Sequence, residues 1–312
     1  MRFIKRLPEL LAAARAELGA FVGAPPDDLV FVPNATTGVN MAARALDLQP
    51  GDEVLATNLE YGACDLAWNH VRHRAGARYV RADVDRLFEG VTERTRAVFV
   101  SHITSETALL LPVEDIVARA RSEGLVTIVD GAHAVAQVDL DLTALAADFY
   151  AGTCHKWLCA PKGSGFLYVR PEWQECTHAP IVSWGYEEPD SFIWRTQKQG
   201  TRDQSAYLTV PAAIEFFREH DSRERCVELA REARRQLCDL LGTEPLAPEE
   251  QILQMASVRL PHADPTLTQR LFDEHRIEIP TMGSDDELLR ISVALYTERE
   301  DVERLLDALH AD

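Results

Sequence analysis

Apolar and polar positions along the chain repeat with two periods, one typical of helices and one typical of buried strands. Residues 3–22 place apolar side chains every three to four positions, which predicts a helix with one buried face. Short apolar, often β-branched runs predict strands at 29–32, 53–57, 77–80, 97–101 and 125–130. Helical patterns lie between these runs, after 33–38 and at 64–75 and 113–122. This alternation predicts βαβ units and a mostly parallel sheet.

The pattern changes in the last third of the chain. Helix-like segments at 211–217 and 226–241 lead into two predicted strands at 255–260 and 289–293. Thr297 and Glu300 have the spacing of a capping box, which predicts that the last helix starts there. We therefore predict a large domain at 1–215 and a small C-terminal α+β domain at 216–312.

Composition excludes several classes of partner. The chain has 312 residues, of which 46% are hydrophobic, and a formal charge of −18 with a pI near 5.0. Such an acidic protein is a poor binder of nucleic acid or of an anionic membrane. No stretch approaches the ~20 apolar residues of a membrane span, and the N-terminus lacks a cleavable apolar core. These features predict a soluble, cytoplasmic protein.

The six cysteines form no CxxC pair, and nothing in the sequence indicates secretion. Reduced thiols are therefore expected rather than disulfides, and no metal site is predicted.

The clearest chemical signal is an acid at a strand end that is followed by a histidine–lysine pair. Asp130 ends a β-branched run and precedes the small residues Gly131 and Ala132, while Lys156 follows His155 farther along the chain. Pyridoxal phosphate (PLP) requires a lysine amine for its aldehyde and an acid for its pyridine nitrogen. Taken alone, Lys156 could be a surface lysine and Asp130 a helix-capping aspartate. The choice between these roles and a PLP site therefore depends on the other motifs of the chain.

The segment 33–38 joins a strand to a helix through Asn34, Thr36, Thr37 and Gly38. Unpaired N–H groups, a positive dipole end and two hydroxyls at a helix start suit an anion such as a phosphate. Ordinary helix capping by Asn34 would explain this segment equally well.

Seven motifs then follow one another in a recognisable order. They are VPNATTGVN (32–40), EYGA (60–63), SHITS (101–105), VDGAHA (129–134), HKW (155–157), GTRD (200–203) and RISVALYTEREDVERLL (290–306). Together they resemble the class V aminotransferase family of fold-type I PLP enzymes, and within it the isopenicillin N epimerase-like branch. The resemblance spans about residues 3–309. It implies an α/β fold in which helices sandwich a mostly parallel sheet, with PLP as cofactor.

The resemblance also implies roles for individual residues. Lys156 resembles the Schiff-base lysine, and Asp130 resembles the partner of the pyridine nitrogen. Tyr61 falls where the family places a ring stacked on the cofactor, and His133 and Ser105 fall where polar side chains reach its hydroxyl. Phosphate binding is implied for Thr36, Thr37, Thr153 and His155.

Two further residues concern the partner subunit and the substrate. Thr201, in the GTRD motif, is implied to reach the phosphate of the neighbouring subunit, which predicts a homodimer with shared active sites. Arg290 resembles the arginine that binds the substrate α-carboxylate through two parallel hydrogen bonds, as a bidentate pair. A surface arginine on a strand is the alternative for Arg290.

The sequence departs from the family pattern in two places. Cysteine desulfurases of this class carry a nucleophilic cysteine in the loop that corresponds to 279–285, and this chain has none there, which disfavours desulfuration. Family members also usually have a segment before the first helix, whereas this chain begins at that helix. We therefore interpret the N-terminal segment as truncated, which puts substrate binding and dimer stability in question.

Several reactions are consistent with these residues. Labilising a Cα bond of an amino-acid-like substrate can end in epimerisation, in β-elimination as a C–S lyase, or in transamination. The motifs NATTG and EYGA favour the epimerase-like outcome, with the C–S lyase next. A non-catalytic protein of the same fold is the further alternative, favoured by the missing opening segment and opposed by the retained site residues.

Overall fold

The computed structural model describes residues 2–188, 191–283 and 287–311, which form two compact units. The first unit contains Met1–His102 and Pro112–Glu219, and the second contains Ile103–Leu111 and His220–Asp312. The predicted domain boundary after residue 215 stays a prediction. No described helix combines the length and apolar character that a membrane span requires.

A seven-stranded sheet forms the centre of the first unit. Its strands in chain order are β1 (Leu29–Val32), β2 (Glu53–Thr57), β3 (Arg78–Ala82), β4 (Thr95–Ser101), β5 (Val126–Gly131), β6 (Phe149–Thr153) and β7 (Gly165–Val169). Their spatial order is β1-β7-β6-β5-β4-β2-β3. The strands from β3 to β6 pair in parallel, whereas β7 is antiparallel to both of its neighbours. β1 therefore runs in the same direction as β6.

Most of these strands are buried along their whole length, because helices cover the sheet. The helices of this unit are α1 (Arg2–Val22), α2 (Ala35–Ala45), α3 (Gly62–Ala75), α4 (Val113–Ser122), α5 (Leu142–Leu145), α6 (Pro171–Gln174), α7 (Phe192–Gln197), α8 (Ser205–Leu208) and α9 (Val210–Glu219). The pattern had not predicted β6, β7 or the short helices α5 to α8.

Two glycines allow the backbone to lie unusually close to residues of strand β6. A Cβ on Gly38, in α2, would lie 2.9 Å from the Cβ of Ala151 in β6, so the missing side chain lets this helix settle onto the sheet. A Cβ on Gly131 would lie 2.1 Å from the ring of Tyr150. The tyrosine thus fills the space beside the end of β5.

The second unit is smaller and is built on a three-stranded antiparallel sheet. It contains α10 (Arg223–Leu241), β8 (Met255–Arg259), α11 (Leu267–His275), β9 (Thr281–Met282), β10 (Leu288–Ser292) and α12 (Arg299–Ala311), with the strand order β8-β10-β9. The segment Ile103–Leu111 is held to it by hydrogen bonds. The N–H of Leu110 donates to the carbonyl of Gln251, and the Ser257 hydroxyl donates to the carbonyl of Glu106.

The start of α12 corrects the predicted capping box. The hydroxyl of Thr297 accepts from the N–H of Ala294, and it is Asp301 that reaches back to accept from the N–H of Glu298. The helix therefore starts later than predicted, and an aspartate takes the place expected for Glu300.

Candidate functional site

Six strands of the first unit end at the same edge of the sheet, namely β1, β2, β3, β4, β5 and β6. In open α/β sheets this carboxyl edge is where ligands bind. Most of the residues predicted for the site lie at or just after these strand ends. The candidate site is therefore built by the topology, which gathers segments that are far apart in the sequence.

Lys156 lies in the loop that follows β6, and its side chain is exposed. Its Nζ is 3.0 Å from Nε2 of His133, a histidine that is only 8% exposed. The indole N–H of Trp157 donates to Nδ1 of the same histidine at 3.3 Å. The lysine amine is thus accessible. It contacts Nε2 of the buried His133 ring, and Trp157 binds the other nitrogen of that ring.

Asp130 lies near the end of β5 and is 4% exposed. One carboxylate oxygen accepts from the N–H of Ala132 at 2.9 Å, and the other accepts from the thiol of Cys64 at 3.4 Å. Burial raises the pKa of Asp130 and is the largest influence on it. Three contacts lower this pKa: the hydrogen bond from the N–H of Ala132, the positive charge of Lys156 and the hydrogen bond from the Cys64 thiol. A cationic partner in this place would be stabilised by the same carboxylate.

Cys64 belongs to the first turn of α3 and is fully buried. Burial and the negative charge of Asp130 raise the pKa of its thiol, so the group stays protonated and donates. The sequence had offered no role for this residue in the site, because Cys64 and Asp130 are far apart along the chain.

A second buried carboxylate, Glu60, also lies at this edge and was not predicted from the sequence. It is 4% exposed and accepts hydrogen bonds from the hydroxyls of Thr57, at the end of β2, and Ser101, at the end of β4. Burial raises its pKa to about 7, although both hydroxyls lower it, and the charge of Asp130 adds to the increase. An acid close to the end of a predicted strand is the signal that identified Asp130, and Glu60, three residues after β2, could have been considered on the same ground.

Replacing Glu60 with glutamine should change how stability depends on pH. The native pKa near 7 lies above the ordinary value of 4.5, so the native state binds more protons than the unfolded state between these values. The wild type should therefore lose stability, relative to Glu60→Gln, as pH rises from 4.5 to 7, by about 3 kcal/mol. Urea unfolding of the cofactor-free proteins at pH 5 and pH 8 measures this difference.

Glu89→Gln is the matched control, because its carboxylate is exposed and forms only a surface ion pair with Arg86. A difference between wild type and Glu60→Gln that stays constant from pH 5 to pH 8 would contradict the assignment of a raised pKa.

The start of α2 has the features expected of an anion site. Asn34 caps the helix by accepting from the N–H of Thr37 at 2.8 Å, and the Thr37 hydroxyl also donates to Asn34 at 3.0 Å. Both Thr36 and Thr37 are partly exposed. Helix capping and anion binding are compatible here, because other first-turn N–H groups remain outside the helical hydrogen-bond pattern.

Thr153 and His155 lie at the neighbouring strand end. Thr153 is the last residue of β6 and is buried, whereas His155 is half-buried. Nδ1 of His155 is 2.7 Å from the carbonyl of Ser164, so this nitrogen carries a hydrogen and donates. Burial lowers the pKa of His155 despite that hydrogen bond, with the charges of Lys156 and Lys162 adding to the decrease.

Tyr61 and Thr201 are both exposed residues of the first unit. Tyr61 precedes α3, where its carbonyl accepts from the N–H groups of Cys64 and Asp65, and its side chain is 42% exposed. Thr201 lies in the loop after α7, next to Gly200 with a φ of +96°. The roles of both residues stay predictions.

Arg290 and Ser105 belong to the second unit. Nη1 of Arg290, in β10, donates to the carbonyl of Ser105 at 2.5 Å and lies 3.2 Å from its hydroxyl. Ser105 is buried, and Arg290 is half-buried. The structure thus brings these two predicted residues together, while their roles toward substrate and cofactor stay predictions.

The loop in which related desulfurases carry a cysteine is described only in part, since Ser284 and Asp285 lie outside the described residues. Across the part of the chain that is described, no cluster of three or more histidine, cysteine or acidic side chains could hold a metal ion.

The chain is similar over nearly its whole length to one family of known proteins. The family model "Aminotransferase class-V" matches residues 2–305. The isopenicillin N epimerase of Amycolatopsis lactamdurans is 37% identical, with 99% of this chain and 87% of that protein covered. The isopenicillin N epimerase of Streptomyces clavuligerus is 36% identical, with 99% and 86% covered.

A solved structure has the same fold. It is a mutant of C-DES in which glycine is covalently linked to the PLP cofactor. It superposes with a TM-score of 0.89 at 23% identity and covers 99% of this chain and 87% of that chain.

Proposed function

Because this chain belongs to the aminotransferase class-V family, we propose that it is a PLP-dependent enzyme that labilises a Cα bond of an amino-acid-like substrate, as an isopenicillin N epimerase-like isomerase. One observation carries the proposal. An accessible lysine amine, Lys156, lies in the loop after β6, and a buried carboxylate, Asp130, lies near the end of the neighbouring parallel strand β5, at the same carboxyl edge.

The residues at this edge fit PLP by the chemistry of their donors and acceptors. Lys156 offers an amine for the aldehyde, and Asp130 offers a buried carboxylate for the ring nitrogen. The start of α2 offers first-turn N–H groups, the partly exposed hydroxyl of Thr36 and a positive dipole end for the phosphate, and the Thr37 hydroxyl can donate there by turning away from Asn34. Thr153 and His155 lie at the adjoining strand end and complete the proposed phosphate site.

When bound, PLP supplies an electron-accepting ring that stabilises the negative charge left at the substrate Cα. Asp130 keeps the ring nitrogen protonated, which makes the ring a better acceptor. The amine of Lys156 takes the proton from Cα, and His133 holds this amine in position from 3.0 Å away. Tyr61 covers one face of the ring and excludes water there. We propose that Arg290 binds the substrate carboxylate.

The reaction is tested with isopenicillin N and a panel of amino acids and thioethers in deuterated water. We expect inversion at Cα with one deuterium incorporated there and no loss of the side chain. Release of a thiol and a keto acid would instead assign a C–S lyase, and a requirement for an added keto acid would assign an aminotransferase. Absence of both colour change and deuterium incorporation with every compound would indicate a non-catalytic protein.

The proposed enzyme is a homodimer, and an apolar surface of the first unit supports this. Ile181, Val182 and Trp184 are 57%, 73% and 67% exposed. The segment 183–185 lies beside the Thr201 loop, since the N–H of Gly185 donates to the carbonyl of Lys198. We name residues 181–184 and 198–203 the dimer surface.

A second copy of this chain would cover these exposed apolar side chains.

Replacing Thr201 with alanine should weaken PLP binding if the dimer surface brings this residue to the partner's phosphate site. Loss of one hydrogen bond to a charged group corresponds to roughly tenfold or more in PLP dissociation constant. Equilibrium titration of PLP fluorescence measures the change, and analytical ultracentrifugation should show that the variant remains a dimer.

Thr209→Ala is the matched control, because it removes an exposed hydroxyl of the same unit whose partner among the described residues is the carbonyl of Ala206. Val182→Glu should give a monomer that binds PLP weakly. A wild-type monomer that holds PLP at one equivalent would contradict the shared site.

A further inference from the structure

The two ring contacts of His133 determine where its hydrogen lies. An indole N–H can only donate, so Nδ1 of His133 must accept from Trp157 and therefore carries no hydrogen. This contact excludes the imidazolium form, in which both nitrogens donate, and it excludes the neutral form with its hydrogen on Nδ1. The neutral form with its hydrogen on Nε2 is the one that satisfies the contact.

The hydrogen on Nε2 points to the amine of Lys156, which is 3.0 Å away. An ammonium group has three donors and no acceptor, so it cannot accept this hydrogen bond. A neutral amine can, through its lone pair. We propose that Trp157 is a positioning residue that fixes the tautomer of His133 and thereby favours the neutral, nucleophilic form of Lys156.

The surroundings of His133 hold the ring in this arrangement. The ring is buried, and the His133 carbonyl accepts from the side-chain amide of Gln137 at 2.7 Å. The backbone is fixed as well, since the N–H of Ala134 donates to the carbonyl of Gly131. Rotation of the ring would break the bond from Trp157 and bring the wrong nitrogen to the lysine.

Charged groups around the lysine act in both directions. Asp130, at the end of β5, attracts the protonated amine, while His155, on the same loop as Lys156, lies close enough for its charge to interact with that of the lysine. The tautomer of His133 opposes Asp130, because its Nε2–H repels an ammonium group. Protonating Lys156 would require His133 to give up its bond with Trp157 or its contact with the lysine.

This inference rests on the proposed function only where it concerns the reactivity of the amine. The tautomer itself is a property of the full chain without cofactor or substrate, and it can be measured there. Failure of the proposed function would therefore leave the tautomer result unchanged, and the two outcomes can be told apart.

The first test is long-range ¹⁵N–¹H NMR of the cofactor-free, full-length protein labelled at its ten histidines. The signals of His133 are assigned by their loss in His133→Asn. We expect a pyrrole-type nitrogen at Nε2 and a pyridine-type nitrogen at Nδ1 near neutral pH. The reverse pattern, or two protonated nitrogens, would overturn the inference without the need for any Trp157 variant.

The second test replaces Trp157 with phenylalanine, which keeps an aromatic ring and removes the N–H. The ratio of the two His133 tautomers should move by roughly fivefold or more, as expected for one net hydrogen bond. The pH midpoint for labelling of Lys156 by an amine-specific reagent should also rise. Mass spectrometry reads this labelling out separately for each of the four lysines of the chain.

Trp173→Phe is the matched control, because it removes an indole N–H that donates to Asp148 at 3.2 Å and leaves Trp157 intact. It should change neither the His133 signals nor the labelling of Lys156. If Trp157→Phe leaves the tautomer ratio and the labelling midpoint as they are in the wild type, Trp157 does not position the histidine.

Discussion

Lys156→Ala is expected to eliminate covalent attachment of PLP and to lower turnover by at least 10²–10⁴-fold, the usual contribution of a positioned proton-transfer group. The exposed amine at the end of β6 is the group proposed both to hold the cofactor and to move the Cα proton, so alanine removes both functions. Borohydride reduction followed by peptide mapping measures the attachment. The yellow colour of the bound cofactor should be lost in parallel.

Lys162→Ala provides the control for this variant, since Lys162 lies six positions farther along the same loop and is also exposed. It should retain colour, attachment and turnover. A pyridoxyl label found on Lys162 or Lys198 in the wild type would refute the assignment of Lys156.

Asp130→Asn is expected to lower turnover on the order of a hundredfold or more, which corresponds to ~3 kcal/mol of lost electrostatic stabilisation. Asparagine keeps the size of the side chain and one acceptor oxygen for the N–H of Ala132, so the end of β5 should remain folded. What is lost is the negative charge that keeps the ring nitrogen protonated. Single-turnover kinetics and the absorbance spectrum of the bound cofactor measure the two consequences.

Asp27→Asn is a suitable comparison, because the Asp27 side chain is 89% exposed and the substitution removes the same charge far along the sequence from β5. It should have the kinetics and spectrum of the wild type. Native turnover together with an unchanged cofactor spectrum in Asp130→Asn would show that Asp130 does not act on the ring.

The family and the mostly parallel sheet were predicted from sequence and are confirmed. The reason is physical. Strands such as β4 and β5 are buried along almost their whole length, and a strand buried on both faces leaves a continuous apolar run in the sequence. β6 was not predicted because Gly152 interrupts its short apolar run. β7 was not predicted either, although the apolar run 166–169 follows directly after Gly165.

The site could be predicted only as far as its signals are local. Asp130 ends a predicted strand, and Lys156 belongs to the short motif HKW, so both are marked by local sequence. The contacts of Cys64 with Asp130, and of Glu60 with Ser101, join residues from different strands and helices and leave no local pattern. The same holds for the segment Ile103–Leu111, which belongs to the second unit. Its residue Leu110 donates a hydrogen bond to Gln251, which lies far along the sequence.

The place of β1 at the edge of the sheet has a consequence for how the protein is made. Its only described neighbour in the sheet is β7, and roughly 130 residues separate Val32 from its partner Gly165, so this pairing has a very high sequence separation. A ribosome that adds 5–20 residues per second needs about 7–25 s to reach the second strand. During that time the apolar segment Leu29–Val32 emerges without its partner, which makes the nascent chain a candidate for chaperone binding.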